Sequence, residues 1–424
     1  MSAPHTSSSP LQDDFSPALA PALARRWVML LALIAGFSLS QAFRTVTAII
    51  ATGLQGEFGL SPQALGLFAG AFAFAFGGMQ MFMGIGIDLY GVRRTVLAAS
   101  PLTIVGALLS ALAPDYGAVL LGQVLIGLGC APAFLVCTVF VARYFEPRKF
   151  AFVSGLAMGL GGLGMLFTGT PLAWLVAQWS WRAGFLVLAG LALLAWLLIA
   201  WLVHEPEGAG GHGAPPGESV IAAVRSYGAL FLLPHTLGIL LLALVTYAGF
   251  LTLRGLWLGP VLIERHHFSL VASGNVALLV SLISLAGPAL FGRADPGPQR
   301  RRGWIIGLTL LVGSIFAAMA LTQHSWVDVG GALLVGFLSG YIVLQYADVR
   351  SAYPPALTGR AMAVFTMAMF LGVALAQWLT GVAAAVAQDH GVEPYRAVFG
   401  LLAALLLAGA VAFWRLPAPA GTRA

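Results

Sequence analysis

The sequence predicts an all-α membrane protein: twelve transmembrane helices in two six-helix bundles, with both termini on the cytoplasmic side. Three observations predict it. The composition is too apolar for a soluble chain, the hydrophobic runs have spanning length, and the second half repeats landmarks of the first. Of 424 residues, 59% are hydrophobic and 8% charged, whereas soluble domains carry about 25% charged residues. The 21 basic and 15 acidic side chains cannot clothe a soluble protein of this length, and the mean hydropathy of +0.92 agrees. This excludes a secreted disulfide scaffold, and the basic residues are too scattered for a nucleic-acid surface. Cys130 and Cys137 share one apolar run. On a helix they stand about 10 Å apart, beyond disulfide reach, and two thiols alone make no metal site.

A bilayer core takes about 20 apolar residues per helix. Residues 1–26, rich in Ser, Pro and Ala, read as a disordered cytoplasmic tail. The first bundle, 27–203, holds runs at 27–52, 62–85, 95–113, 117–141, 151–177 and 182–203. A cytoplasmic linker follows at 204–233, whose Gly- and Pro-rich part cannot form a packed element. The second bundle, 234–416, holds 235–262, 270–291, 304–322, 327–348, 360–387 and 395–415, and a short tail closes the chain at 417–424. Length without alternation makes each run a helix rather than a strand. Ser40-Gln41-Ala42 resembles a signal-peptidase site, but 26 residues precede the first run, so that span is read as retained.

Basic residues set the orientation. With the N-terminus inside, sixteen of the 21 fall in cytoplasmic segments and three, Arg182, Arg265 and Arg396, fall outside. The remaining two, Arg44 and Arg254, lie within spans. The halves match at an offset near 209: Gly122 and Gly127 fall on Gly331 and Gly336, Tyr144 falls on Tyr353, and the two in-span arginines are 210 apart. Parallel repeats of this kind place a binding site near the midplane between the halves.

After the second span the chain reads Gly84-Ile85-Gly86-Ile87-Asp88-Leu89-Tyr90-Gly91-Val92-Arg93-Arg94. Gly84 allows close helix approach, Gly91 permits a tight turn, and Asp88 can pair with an arginine or a helix N-terminus. The pattern resembles the loop signature of the major facilitator superfamily, although Leu89 stands where a basic residue is usual. Arg143-Tyr144-Phe145-Glu146-Pro147-Arg148 is similar to that family's basic loop after span 4, and Gly292-Arg293-Ala294-Asp295 is a degenerate second copy of the first motif. The resemblance implies a transporter whose cytoplasmic side is latched by Gly84, Asp88, Gly91, Arg93, Arg94, Arg143 and Glu146. The alternative is a solvated loop that only sets topology. Gly155 to Gly164 resembles the glycine run of nitrate/nitrite porters. Gly162 replaces their Asn, however, and spans 2 and 8 hold no Arg, so these glycines are read as helix packing.

A charge at the bilayer centre costs roughly 2.5–3.5 kcal/mol even on a lenient scale, so Arg44 and Arg254 are the leading site candidates. The organophosphate/phosphate exchangers of the resembled family likewise hold an anion with one arginine from each of these two helices. Gln41, Ser40 and Thr47 share the Arg44 face at helical spacing, and Tyr247 and Trp257 share that of Arg254. Gln123, Asn275, Tyr341, Gln345 and Gln377 are further in-span polar residues. The competing reading has both arginines snorkelling to the outer surface. All 15 acids and all eight His can be placed in tails, loops or span ends, which argues against a standard proton relay and against cation carriage.

The expected function is transport of a small organic or inorganic anion by alternating access. The alternative is efflux of neutral or hydrophobic compounds, with the arginines structural. No nucleophile–base set, metal cluster or phosphate loop is present, so neither an enzyme nor a cofactor is expected. The expected partners are a small anionic substrate and membrane lipids, with no nucleic acid, for a monomer in a bacterial inner membrane.

Overall fold

Short polar residues and prolines start the helices at one end of the bundle. Ser61 Oγ accepts from the Ala64 N–H at 3.2 Å, Asp115 Oδ1 from Ala118 at 2.8 Å, Ser180 Oγ from Ala183 at 3.3 Å, Ser269 Oγ from Ala272 at 3.2 Å, and Glu393 from Arg396 at 2.9 Å. Pro62 and Pro394 fill the first helical turns after two of these caps, where the missing N–H costs nothing. Each cap satisfies a free amide and is worth about 1 kcal/mol. Spans 2, 4, 6, 8 and 12 start there, and this is called the capped end below.

The structure, a computed structural model, describes residues 19–146, 150–205, 230 and 233–417, and of residues 19–23, 88, 150, 151, 355 and 356 the backbone alone. The N-terminal tail to residue 18, Pro147, Arg148, Lys149 and most of the linker lie outside the described residues. Among the described residues there is no strand, and twelve helices are long and apolar enough to cross a membrane. They are Ala24–Thr45, Pro62–Ile87, Leu89–Ala111, Tyr116–Tyr144, Phe152–Gln178, Trp181–Leu202, Thr236–Arg265, Leu270–Arg293, Pro298–Leu321, Ser325–Ala352, Leu357–Asp389 and Pro394–Arg415, numbered here as spans 1 to 12.

Three boundaries differ from the expected ones. Span 1 bends at Val46 and a second helix, Thr47–Phe58, carries the chain on, because the sequence stays apolar past the bend. Spans 2 and 3 form one helical run, Pro62–Ala111, interrupted at Gly91 (φ 83°, ψ 171°), a backbone region that favours glycine. Arg300, Arg301 and Arg302 lie in span 9 rather than in a loop, because Gly297 (φ 85°) and Pro298 start that helix early. Arg301 there grips Asp295 with Nε at 3.0 Å and Nη2 at 2.6 Å, and this hydrogen-bonded guanidinium holds the Asp295 carboxyl below the ordinary range.

The repeat read from the sequence recurs as repeated packing. A β-carbon on Gly127 would overlap the Phe72 carbonyl of span 2, and one on Gly336 would stand 3.0 Å from the Val280 carbonyl of span 8. Span 4 breaks at Ala131-Pro132 and span 10 at Ser339–Tyr341, positions 209 residues apart. The bend at Val46 likewise has its counterpart in span 7, where Leu253–Trp257 is a π-helical turn.

Three seams join the first six spans to the last six. Spans 1 and 7 cross where Gly255 and Gly259, one turn apart, rest on the carbonyls of Arg44 and Ala48. A β-carbon at Gly255 would stand 2.8 Å from the first oxygen, and one at Gly259 would overlap the second. Gly70 of span 2 lies against Ala374 of span 11, with 2.9 Å from its β-position to the carbonyl, and Gly169 of span 5 lies against Leu278 of span 8 at 2.6 Å. Small residues let the backbones approach this closely. All three seams sit at mid-span or toward the capped end, so that end is shut.

Polar staples fasten each half at the capped end. Glu57 accepts from Trp181 Nε1 at 2.8 Å and pairs with Arg182. In the second half Glu264 accepts from the Tyr395 hydroxyl at 2.5 Å, and Arg265 pairs with Asp328 at 2.8 Å and Glu393 at 3.2 Å. The Arg182 hydrogen bond holds the Glu57 carboxyl below its ordinary range. Its contribution is therefore present at neutral pH and is lost as the pH falls through the lowered value; exposure keeps it small. Thermal unfolding in detergent is expected to show a lower Tm below pH 4, and Glu57→Gln should lessen that drop by up to about 1 °C, as a surface pair's worth predicts.

Candidate functional site

Arg44 ends the first segment of span 1, one residue before Thr45 and two before the Val46 bend. It is 9% exposed. Its guanidinium carbon lies 4.4 Å from the Phe76 ring centre and 4.7 Å from that of Phe370, one ring from each half. Nη2 donates to Ser40 Oγ at 3.3 Å, and Nε has no hydrogen-bond partner. Stacking on two ring faces stabilises the cation without neutralising it. Tyr247 packs edge-on against Phe370 at 5.5 Å. It therefore belongs to the Arg44 surroundings rather than those of Arg254, where helical spacing had grouped it. Gln41 leaves its Oε1 buried and unpartnered.

Arg254 sits in the π-helical turn of span 7 and is fully buried. Nε donates to the Ala277 carbonyl at 3.1 Å and to Ser281 Oγ at 2.9 Å, both on span 8. Nη2 donates across the seam to the Met165 carbonyl at 3.0 Å and to the Thr168 carbonyl and Oγ1 at 3.3 and 3.4 Å. Span 5 is broken there: Gly169 N–H turns to the Leu166 carbonyl and Thr170–Gln178 starts a new helix, which releases the carbonyls that Arg254 takes. Nη1 is unpartnered. Trp257 points elsewhere, donating to Thr380 Oγ1 at 2.9 Å and meeting Tyr395 edge-on. The wider π turn carries it off the face on which α-helical spacing had placed it.

The backbones of the two arginine helices touch at Gly255, yet the side chains diverge. Arg44 enters the span 2/11 seam and Arg254 the span 5/8 seam. Thr168 links the two positions, since its Oγ1 also lies 2.6 Å from that of Thr45. Among the described residues no carboxylate forms an ion pair with either guanidinium. Gln123 is fully buried with both amide atoms unpartnered. Gln345 accepts from Thr246 at 3.0 Å and leaves Nε2 free, Gln377 leaves Oε1 free beside Gly255, and Tyr341 shares a hydrogen bond with Thr309 at 2.9 Å. Asn275 accepts from Thr170 of the other half at 2.6 Å. Ser40 was read on the Arg44 face, but Phe76, Phe370, Thr168 and Ser281 were not singled out in the sequence; the Thr168-Gly169-Thr170-Pro171 break was the one visible signal among them.

At the opposite end, the loop motif is held from span 6. The Arg93 N–H donates to Glu205 Oε2 at 2.7 Å and Arg93 Nη2 to the Ala200 carbonyl at 2.9 Å, while the Tyr144 hydroxyl reaches Glu205 Oε1 at 3.5 Å. These partners lie in the first six spans or, for Glu205, just past the end of span 6, so the contacts described tie the motif to its own half. Gly84 has open space around it apart from Leu135 at 4.0 Å, Arg94 and Glu146 are exposed, and Arg143 is half-buried. The Asp88 side chain lies outside the described residues.

Twelve apolar spans in two repeated sets, joined by glycine seams around buried arginines, define a membrane transporter. The chain belongs to the Major Facilitator Superfamily, whose family model matches residues 30–377. It is 25% identical over 342 residues to NiaP of Bacillus subtilis (strain 168), covering 77% of this chain and 80% of that protein, which is provisionally named a niacin/nicotinamide transporter. It is 26% identical over 156 residues to SauU of Cupriavidus necator, covering 37% and 36%, which is provisionally named a sulfoacetate transporter. Two other curated relatives are matched over less than a third of their own length. The fold is shared with a bacterial homologue of the human lysosomal transporter Spinster, solved inward-facing and unoccupied, with a TM-score of 0.70 and 18% identity over 92% of this chain and 95% of that one.

Proposed function

We propose that this transporter moves a small organic anion by alternating access, with Arg44 and Arg254 supplying the binding charge from the two halves. The observation that carries the reading is two buried guanidiniums at the crossing of spans 1 and 7, each with an unpartnered nitrogen and neither paired with a carboxylate among the described residues. A buried charge left in this state is costly, and an anionic substrate is the partner that completes it, through the bidentate geometry guanidinium offers. The name of SauU assigns it sulfoacetate, an acid, and that of NiaP assigns it niacin, an acid, together with the uncharged nicotinamide. The charge asymmetry supports cytoplasmic termini in a bacterial inner membrane, which makes the shut, capped end the outer one.

The test is a thermal-shift screen of purified protein with an anion library. Carboxylates or sulfonates are expected to raise Tm, by about 1 °C per kcal/mol of binding free energy gained in a chain of this length. Neutral isosteres should leave it unchanged. One observation favours the second reading, efflux of neutral compounds: every Arg254 bond in this conformation goes to a backbone or hydroxyl oxygen, which suits a structural arginine. Raised drug susceptibility in a deletion strain, restored equally by wild type and Arg254→Gln, would favour that reading.

A further inference from the structure

We propose that Arg254 is the latch of the capped end, and that it presents a fork to an anion only when that latch opens. The second clause rests on the anion reading above. The first stands on geometry alone.

The guanidinium is divided by function. Its Nε edge is fixed to its own half through Ala277 and Ser281 of span 8, and Ser281 is held in turn by its own bond to the Ala277 carbonyl at 2.8 Å. Its Nη2 reaches into the other half, to Met165 and Thr168 of span 5. These acceptors lie on the broken segment next to Gly169, which packs against Leu278, so the bonds and the span 5/8 seam share one location. When the halves part at this end, Met165 and Thr168 leave with the first half while the Nε anchors stay. Nη1, already unpartnered, and Nη2 then form a pre-oriented pair of parallel donors, the arrangement that suits a carboxylate or phosphate.

Closure reverses this. The released carbonyls of span 5 return to Nη2 and take the place of one anion oxygen, so the seam and the anion compete for the same nitrogen. Arg44 keeps its place between Phe76 and Phe370 and holds charge on the other side of the crossing. The Thr45–Thr168 hydrogen bond places the neighbour of Arg44 on the very residue that Arg254 grips. Loss of the Arg254 grip is thus sensed next to Arg44.

The experiment places a reporter thiol at the seam. Leu278→Cys puts it against Gly169, and the native Cys130 and Cys137 are buried. The rate of labelling by a membrane-impermeant maleimide is compared with Arg254, Arg254→Gln and Arg254→Lys in the full-length protein. Charged hydrogen bonds of this kind are strong enough that their loss should speed labelling about tenfold, with Lys intermediate because a single ammonium cannot reproduce the fork. Thr168→Val leaves the charge in place, removes one acceptor, and should give a rise of about twofold to fivefold, as loss of one such bond allows; it also covers the case in which Arg254→Gln does not fold. Labelling rates equal to the parent in both Arg254→Gln and Thr168→Val would overturn the latch. Adding a carboxylate that raises Tm should speed labelling with Arg254 and leave Arg254→Gln unchanged. A stabilising carboxylate with no effect on labelling would overturn the competition. If no anion raises Tm while Arg254→Gln still opens the seam, the anion reading fails and the latch stands.

Discussion

Arg44→Ala is expected to abolish anion uptake in proteoliposomes while the protein stays inserted and monodisperse. Removing one partner of a desolvated, hydrogen-bonded charge pair costs about 2–5 kcal/mol, which is a loss of roughly thirtyfold or more in apparent affinity. The effect is expected to be large because the Arg44 guanidinium has little else to lose: one hydrogen bond to Ser40 and two ring faces. Arg44→Lys keeps the charge but not the planar stacking or the fork, so it should recover only part of the activity. Uptake initial rates at a series of substrate concentrations check this. Wild-type rates in Arg44→Ala would remove Arg44 from the site.

Gly259→Ala should be nearly as damaging, although it adds only a single methyl group. The added carbon would overlap the Ala48 carbonyl, and that oxygen is backbone, so the helices themselves must move apart. Overpacking of this kind costs about 1–3 kcal/mol. That free energy falls on the shut state of the capped end and not on folding as such. Transport should drop by roughly thirtyfold at the centre of that range, and a thiol at Leu278→Cys should label faster. Gly400, with nothing near its β-position, is the control: Gly400→Ala should transport normally. Equal transport by Gly259→Ala and Gly400→Ala would show that the span 1/7 crossing need not close this tightly.

The fold was legible because lipid leaves few choices. A helix that crosses it must be long and apolar, and a repeat with a constant offset survives as glycines that do the same work, as Gly127 and Gly336 do. The bends were not legible. Val46, the π turn at Leu253–Trp257 and the 3-10 turn at Ser339–Tyr341 carry no proline, so nothing local announces them; they follow from the crossing of packed helices. The site was half legible for the same reason. A charge inside an apolar run stands out, which exposed Arg44 and Arg254. Their partners do not stand out, because a backbone carbonyl such as that of Met165 has no side-chain signature and Phe76 and Phe370 look like any core phenylalanine. Tyr247 and Trp257 were grouped with Arg254 on α-helical spacing; the π turn undid that grouping for Trp257, and Tyr247 packs on Phe370 instead. Glu205 was placed within the polar linker and given no role, although its carboxylate accepts from the Arg93 N–H of the loop.

The central claim is that the substrate's negative charge is what the buried arginines bind. Counterflow into proteoliposomes with a matched pair, nicotinate and its uncharged amide, tests it most directly, because the two share a ring and differ at the acid group. Wild-type protein is predicted to exchange the carboxylate, to discriminate against the amide by at least about 30-fold as expected for a charged hydrogen-bonded pair, and to lose that discrimination in Arg44→Ala. Should nicotinate itself not fit, the same comparison is made with the carboxylate that gives the largest thermal shift and its amide. Equal exchange of acid and amide, or preference for the amide, would contradict the account.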